Sequence, residues 1–384
     1  MDQELLKNIS FGGVKSPPDY RDIPFAAIAT AAGVPTALPD SYFPTGNLIS
    51  RLPIWNQRKI GACVGHAWAK TQQKSELQEN GEIVPLSARF LYAIAKSQDG
   101  VPGEGTYPRI VAKILKNQGC ATENTLPNDT TLTHAQYIDL TAITQAAYDE
   151  AKKYAIGGYS WAENTLLGLK QAIYYAGEQR KDVVMLVNLG KEWWTDPAGN
   201  ITYDPALLLP LRAPAIVVSG HEIYPYAYEK DPANGKTKIW FINSWSDAWA
   251  LKGHGWFYYE DYATFILEIM AGADLPDDWQ SQIQNLPPAQ QFSHSFQTDI
   301  LYGQQSDEVA ALQTALMIDG EFDKALYTKL LSQKQLGFYG DITRQAVLAF
   351  QKRYNVASLW ELIFLNGKKV GPKTRAKLNQ LFNK

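Results

Sequence analysis

The spacing of apolar positions changes from helix-like to strand-like near residue 180. Before that point, apolar residues recur every three or four positions between polar stretches, a pattern typical of amphipathic helices. A Gly that directly follows such a pattern, as Gly177 does, is typical of a helix end. Helices are therefore predicted after Gly61, at 86–96, at 107–116 and at 166–176.

Apolar and aromatic runs separated by loops with Pro and Gly then follow, as is typical of β-strands. Strands are predicted at 183–189, 215–226, 238–245 and 255–262. A helical half followed by a mostly antiparallel β half is an α+β arrangement. Two such lobes in one domain form a cleft, and that is where we expect the chemistry.

The two ends of the chain have different patterns. Residues 1–46 are rich in Pro, Ala and Gly and predict an extended arm lying on an α+β domain at 47–274. Residues 275–296 are polar, contain a Pro pair and predict a linker. Residues 297–384 predict a small all-α domain of three helices, the last one capped by Thr374.

Composition narrows the classes of partner. A chain of 384 residues exceeds what one hydrophobic core usually organises, which also favours two domains. A net charge of −3 gives no reason to expect nucleic acid, and no stretch approaches about 20 apolar residues, so membrane insertion is not expected. The first residues lack the basic start and apolar run of a signal peptide. No cofactor or metal site is expected.

The two cysteines, Cys63 and Cys120, allow one disulfide at most and no cysteine metal cluster. A cysteine attacks as the thiolate, so an active one needs a helix N-terminus or a cation to lower its pKa. Cys63 begins a predicted helix, and we expect its pKa to be depressed. Cys120 is expected to be structural.

Three segments carry a resemblance. NQRKIGACVGHAWA has Gln57 six positions before Cys63, SGHEIYPYAY contains His221, and FINSW contains Asn243. In order and spacing they resemble the active-site segments of the papain family of cysteine peptidases. The resemblance implies a two-lobed papain-like domain in which Cys63 is the nucleophile and His221 its base, while Asn243 orients the imidazole. The Gln57 amide and the Cys63 N–H would form the oxyanion hole.

The same resemblance suggests two substrate-binding residues. Trp245, in the Asn-Ser-Trp segment, would shield the His–Asn hydrogen bond from water. Gly105, in PGEGTY, resembles the glycine-bearing stretch whose backbone pairs with an extended peptide, although a plain turn explains these residues equally well.

Some positions depart from the family pattern. Val64 stands where the family usually has Trp, and Ile60 where it often has a disulfide cysteine. Ser246 and Ala250 replace common glycines. His66 is close to Cys63 in sequence and is a rival base, but a buried, hydrogen-bonded histidine is the favoured interpretation. Residues 1–46 lack the long charged helix of the family's inhibitory propeptide.

The C-terminal part resembles the three-helix peptidoglycan-binding domain, through SDEVAALQTAL, GFYGDITRQAVLAFQ and GKKVGPKTRAKLNQLF. The resemblance implies binding of peptidoglycan, with attachment to a cell wall or to a surface assembly, and a bacterial or phage source. Three functions stay open: an endopeptidase acting on proteins or peptides, a peptidoglycan stem-peptide hydrolase or amidase, and a catalytically silent assembly protein. Action at a cell wall or outside the cell is expected.

Overall fold

A computed structural model describes residues 10–17, 23–25, 28–29, 32–35, 37–195, 210–273, 294–320 and 337–382. Of the predicted linker at 275–296, residues 275–293 lie outside the described residues. Contacts divide the chain into two compact units. The first comprises Met1–Ser16 and Ile28–Leu275, and the second comprises Pro17–Ala27 and Pro276–Lys384.

The helices of the first unit lie close to where the apolar periodicity predicts them. Gly81 ends the long helix that starts at Cys63, because its left-handed conformation (φ 77°) lets its N–H bond to Leu77. The Ser87 side chain caps the next helix by accepting a hydrogen bond from the Phe90 N–H. The helices are α1 (Leu48–Arg51), α2 (Cys63–Asn80), α3 (Ala88–Lys96), α4 (Pro108–Asn117), α5 (His134–Tyr137), α6 (Gln145–Ala151), α7 (Leu166–Glu178) and α8 (Tyr259–Tyr262).

The strands form an antiparallel sheet in the order β3-β8-β4-β5-β6-β7, with β2 paired to β5. This arrangement confirms the predicted mixture of helices and antiparallel sheet. The strands are β1 (Ile23–Pro24, in the second unit), β2 (Ser41–Tyr42), β3 (Gly158–Ala162), β4 (Val183–Leu189), β5 (Ser219–Lys230), β6 (Thr237–Ile242), β7 (His254–Tyr258) and β8 (Ile266–Ala273).

Three strands have bounds that differ from the prediction. The strand predicted at 215–226 begins at Ser219, and the one predicted at 255–262 ends at Tyr258, where helix α8 follows. The strand predicted at 238–245 ends at Ile242. That early end places Asn243 in the loop just beyond the sheet, where its side chain is available to a neighbouring strand.

Helix α2 is buried along most of its length, including many polar side chains. Those side chains bond to the β lobe: Thr71 accepts from the Val183 N–H, and Lys74 donates to the carbonyl of Ala176 at 2.7 Å. Ser75 donates to Asp182 at 2.8 Å. Because buried polar groups are costly without partners, these bonds hold α2 in one position against the sheet and so fix the position of Cys63.

The second unit has its own hydrophobic core, which includes Phe296, Leu312, Leu316, Phe350 and Leu378. Its elements after β1 are β9 (Ile300–Leu301), α9 (Asp307–Ile318), α10 (Asp341–Arg353), a π-helical turn (Glu361–Leu365), β10 (Lys369–Val370) and α11 (Pro372–Phe382).

The repeated Gly–x–x–Thr turns of this unit have a structural explanation. Gln313 of α9 donates to Thr343, at the start of α10, at 2.8 Å. Gln351 of α10 donates in the same way to Thr374 of α11 at 3.1 Å. The prediction that Thr374 caps the last helix is wrong, because α11 begins two residues earlier, at Pro372, and the hydroxyl bonds to the preceding helix.

Candidate active site

The sequence-predicted residues come together from four places in the first unit. Cys63 is the first residue of α2, His221 lies on β5, Asn243 follows β6, and Gln57 is in the loop before α2. Nε2 of His221 lies 2.8 Å from Oδ1 of Asn243, which also accepts the N–H of Ser244 at 2.7 Å. Oδ1 is therefore an acceptor, so the imidazole proton is on Nε2.

The other imidazole nitrogen, Nδ1 of His221, is buried and has no hydrogen-bond partner among the described residues. With the proton on Nε2, Nδ1 carries the lone pair that a general base needs. No hydrogen bond joins it to Cys63 in the described part of the chain.

Three tryptophan rings, Trp193, Trp194 and Trp245, form an aromatic wall beside His221. The ring centroid of Trp245 is 4.8 Å from that of His221, and Trp193 lies at 6.1 Å. Trp194 lies 6.2 Å from Trp245. Since Trp245 is 3% exposed, the wall keeps water from the His–Asn hydrogen bond. The sequence analysis missed Trp193 and Trp194, although an adjacent Trp pair is a visible signal.

Both the oxygen and the nitrogen of the Gln57 side-chain amide are hydrogen-bonded. Its Oε1 accepts from the Ser244 hydroxyl at 2.5 Å, and its backbone N–H donates to the Ser244 carbonyl at 2.8 Å. Nε2 donates to the carbonyls of Ile60 at 3.0 Å and Ser10 at 2.9 Å. Ser244, which the sequence analysis did not single out, therefore joins Gln57 to Asn243.

Residues 10–16, the covering segment, lie across this site. Phe11 stacks on Trp194 at 5.5 Å and meets the edge of His221 at 6.4 Å. The Gly13 N–H donates to the Gly220 carbonyl at 3.1 Å, on the β lobe. On the helical lobe, the segment forms a parallel bridge in which Gly13 lies opposite Thr106. The covering segment thus spans the cleft from one lobe to the other.

Where the covering segment passes Cys63, its residue is a glycine, Gly12. A Cβ on Gly12 would lie 1.9 Å from the carbonyl oxygen of Gly61 and 2.9 Å from the Cα of Gly105. A Cβ on Gly13 would lie 2.2 Å from the movable end of the Leu186 side chain. Main chain surrounds Gly12, so only a residue without a side chain fits between Gly61 and Gly105.

Covering the site changes its ionisation. Burial raises the pKa of the Cys63 thiol to about 12, although backbone hydrogen bonds from Glu222, Gly12 and Val64 lower it. Burial lowers the pKa of His221 to about 4, and the bond to Asn243 only partly opposes this. The expected depression of the Cys63 pKa is therefore wrong for this covered form, in which a neutral thiol and a neutral imidazole are favoured.

Gly105 lies at the cleft but does not itself pair with the covering segment. Its N–H donates to the Tyr92 hydroxyl, and its carbonyl accepts from Lys96. The pairing uses the next residue: the Thr106 N–H donates to the Gly12 carbonyl at 2.8 Å, and the Thr106 carbonyl accepts from Val14 at 3.1 Å. The covering segment thus pairs with Thr106 and not with Gly105.

His66 and Cys120 lie away from this chemistry. His66 is 1% exposed, with Nδ1 bonded to the Ala62 carbonyl at 3.0 Å and Nε2 to the Asn128 amide at 3.2 Å. Both ring nitrogens are hydrogen-bonded, as expected for a structural histidine. Cys120 is fully buried, its Sγ lies 3.5 Å from the Ser87 carbonyl, and burial raises its thiol pKa.

Two properties of the described residues concern metals and membranes. These residues contain no group of three or more His, Cys, Asp or Glu side chains that could hold a metal ion. None of their helices is both long and apolar enough to cross a membrane.

The first unit has the fold of the papain-like cysteine proteases. It is similar to xylellain, a cysteine protease from Xylella fastidiosa, at 20% identity, covering 70% of this chain and 96% of that one with a TM-score of 0.53. It is also similar to the digestive procathepsin L2 proteinase of Tenebrio molitor larval midgut, at 16% identity, 72% and 81% coverage and a TM-score of 0.50. No protein-family model and no curated sequence matches the chain.

Proposed function

We propose that this protein is a cysteine endopeptidase that cleaves peptide bonds through Cys63, His221 and Asn243. The observation that carries the proposal is the convergence of these residues with Gln57 from four separate elements. The 2.8 Å His221–Asn243 bond leaves Nδ1 as the free base. A neutral amide that orients an imidazole beside a thiol is the Cys-His-Asn variant of a catalytic triad.

In the proposed reaction, Nδ1 of His221 takes the Cys63 proton and the thiolate attacks the carbonyl carbon of the scissile bond. The Gln57 amide and the Cys63 N–H stabilise the oxyanion. The C–N bond breaks as His221 protonates the leaving amine, which leaves an acyl-enzyme. Water, deprotonated by His221, then releases the acid and restores the thiol.

The form described here is the latent one in this proposal. The Ser10 carbonyl is bound to Nε2 of Gln57, the donor that the oxyanion would need. Phe11 and Gly12 cover His221 and Cys63. The covering segment must leave before a substrate enters, and its departure removes the burial that holds the thiol and imidazole neutral.

The second unit is proposed to attach the enzyme to peptidoglycan or to a cell-wall assembly. An exposed aromatic pair supports a ligand-binding role, since Trp360 is 59% and Phe364 is 67% exposed, with ring centroids 5.4 Å apart. Leu359 and Ile363 extend this surface. Exposed apolar patches of this kind typically mark interaction sites.

Labelling with a peptidyl fluoromethyl ketone tests the peptidase. In the Gly12→Ala variant, whose added Cβ would displace the covering segment, the thiolate displaces fluoride and forms a thioether, so the label should map to Cys63. In the same background, Cys63→Ala and His221→Ala should both abolish peptide cleavage. Labelling of Cys120 instead, or cleavage that survives Cys63→Ala, would overturn the proposal. Release of stem peptides without cleavage of proteins would favour the peptidoglycan hydrolase.

Sedimentation with purified peptidoglycan tests the attachment. The full chain should sediment, and the Trp360→Ala/Phe364→Ala variant should remain in the supernatant with its unfolding temperature unchanged. If the native chain does not sediment, wall attachment is excluded and an assembly role is favoured.

A further inference from the structure

The edge of the cleft that pairs with the covering segment belongs to a loop. Residues 97–107 join helix α3 to helix α4 and contain no helix or strand. Within this loop Gly105, which has φ 95°, precedes Thr106, the residue whose backbone does the pairing. A loop without a hydrogen-bonded ladder does not fix the direction of its own peptide groups, so contacts from outside the loop must hold Thr106 in place.

Helix α3 supplies those contacts through two side chains. Tyr92 and Lys96 are four residues apart and therefore lie on the same face of the helix. The Tyr92 hydroxyl accepts the N–H of Gly105 at 2.9 Å, and the Lys96 ammonium donates to the Gly105 carbonyl at 2.9 Å. Both polar groups of the Gly105 backbone are thus bound to α3.

The Lys96 bond also sets the direction of the next N–H group. The Gly105 carbonyl and the Thr106 N–H belong to one peptide group, which is planar and trans, so they point in opposite directions. Because Lys96 binds the carbonyl, it directs the Thr106 N–H away from α3, and this N–H donates to the Gly12 carbonyl at 2.8 Å. The cation polarises the same peptide group and so strengthens its N–H as a donor.

The two side chains are themselves held in one arrangement. The Lys96 side chain is 6% exposed, donates to the Val101 carbonyl at 3.0 Å and pairs with Asp99 at 3.2 Å, so its three donors have three partners. Tyr92 is fully buried, and its hydroxyl lies 3.1 Å from Nε2 of His134. Since the hydroxyl oxygen accepts from Gly105, its proton is available to that nitrogen.

Helix α3 is in close contact with helix α2, which begins at Cys63. A Cβ on Gly65 would lie 2.7 Å from the Ala88 carbonyl oxygen and 3.1 Å from the Cβ of Tyr92. Two tightly packed helices therefore connect the position of Thr106 to that of Cys63. A peptide that pairs with Thr106 is placed at a fixed distance from the thiol.

We propose that Lys96 and Tyr92 are positioning residues that align the backbone of an extended peptide substrate with Cys63, by holding the Gly105–Thr106 peptide group from helix α3. This inference rests on the proposed peptidase function. In the covered form, the Thr106 backbone pairs with the covering segment, and in the open form the substrate backbone takes that place. Neither side chain touches the substrate, and each acts through the loop.

Peptidyl fluoromethyl ketones test this alignment on the full chain of the Gly12→Ala variant. Paired compounds differ only by methylation of one backbone nitrogen, at each of the three residues preceding the ketone in turn, and the rate of Cys63 alkylation is measured. Methylation removes the N–H that would donate to the Thr106 carbonyl, so at one position it should slow alkylation at least about fivefold.

Lys96→Met, added to this variant, keeps a long side chain but has no ammonium. It should slow the unmethylated compounds about three- to tenfold and reduce the effect of methylation to about twofold or less, because a misdirected Thr106 has less pairing to lose. Iodoacetamide has no peptide backbone to align and should react with Cys63 at an unchanged rate. Tyr92→Phe, which removes only the hydroxyl, should act in the same direction as Lys96→Met.

Lys116→Met, at an exposed position of helix α4, is the matched control and should leave every rate unchanged. An equal effect of methylation with and without Lys96, or no effect of methylation at any position, would overturn the positioning role and leave the peptidase function intact. Alkylation of Cys63 by iodoacetamide but by none of the peptides would contradict the peptidase function itself. If Lys96→Met does not fold, the Tyr92→Phe comparison decides.

Discussion

At the scale of single residues, the site depends on side chains whose partners lie in other elements. Ser244 holds Gln57 through both its hydroxyl and its carbonyl, and its N–H bonds to the same Asn243 oxygen that orients His221. The proposed oxyanion donor, Gln57, and the proposed base, His221, are thus joined through a single residue, which fixes their relative geometry.

Gln57→Ala should lower kcat by about 10²–10³ in the activated enzyme, because one preorganised oxyanion donor is lost. KM should change little, because the interaction is made mainly in the transition state. The measurement is steady-state hydrolysis of a peptide substrate. Lys59→Ala, at an exposed position in the same loop, is the control. An unchanged kcat for Gln57→Ala would show that Gln57 is not part of the oxyanion hole.

His66 makes stability depend on pH. Burial lowers its pKa from 6.5 to about 4, so the unfolded chain takes up a proton that the folded protein does not. The stability is present in full above pH 6.5 and is lost as pH falls toward 4, by about 2 kcal/mol at pH 5. His66→Gln, which has no group that titrates in this range, should therefore lose less stability than the native protein on acidification.

Urea denaturation of both proteins at pH 7 and pH 5 measures this difference. His221 titrates in both proteins, and because the charge of His66 lowers the His221 pKa further, replacing His66 also reduces that shift, so both effects make the variant less pH-dependent. Identical pH dependence in the two proteins would show that His66 does not titrate as its burial requires.

At the scale of elements, the covering segment has almost no regular secondary structure but makes specific tertiary contacts. Its Gly12 lies between two main-chain segments, and its Gly13 pairs beside Thr106. The sequence predicts the arm but not its position. The contacts join residues from 47 to 252 positions apart, and no periodicity in residues 10–16 indicates which residues they contact.

Gly12→Ala should displace the covering segment, because its Cβ would meet the rigid carbonyl of Gly61. Gly13→Ala should have a smaller effect, since its nearest neighbour is the movable end of Leu186. The measurement is the iodoacetamide alkylation rate of Cys63 at pH 7, expected to rise at least about tenfold in Gly12→Ala as the thiol pKa falls with exposure.

Cys120 is the internal control, because it is equally buried and its thiol bonds to Ser87 and Ala121 and not to the covering segment. Its rate should not change in either variant. An equal rise at both cysteines would indicate general unfolding, and no rise at Cys63 would mean that the segment does not control access.

At the scale of the whole molecule, each unit has its own core, and the second is tied together by the Gln313–Thr343 and Gln351–Thr374 bonds. Gln313→Ala leaves the buried N–H of Gly337 without the acceptor it now has at 2.8 Å. We expect a loss of about 1–3 kcal/mol from the second unit alone.

Calorimetry should therefore show two unfolding transitions in the native chain, of which Gln313→Ala lowers only one. Thr314→Ala, at the neighbouring position on the same helix, is the matched control. A single transition that shifts as a whole would mean that the units unfold together.

The sequence alone determined the mixed helix and sheet architecture and proposed Cys63, His221, Asn243 and Gln57. These are matters of periodicity and of residues in recognisable local contexts, which a single chain displays directly. Tertiary structure decided the strand ends, the role of Thr374, the aromatic wall, and the burial that reverses the expected pKa of Cys63. It also decided that residues 10–16 cover the cleft and that Tyr92 and Lys96 hold the Gly105 backbone. The physical reason is that burial, electrostatics and strand register depend on groups distant in sequence, which only the folded chain brings together.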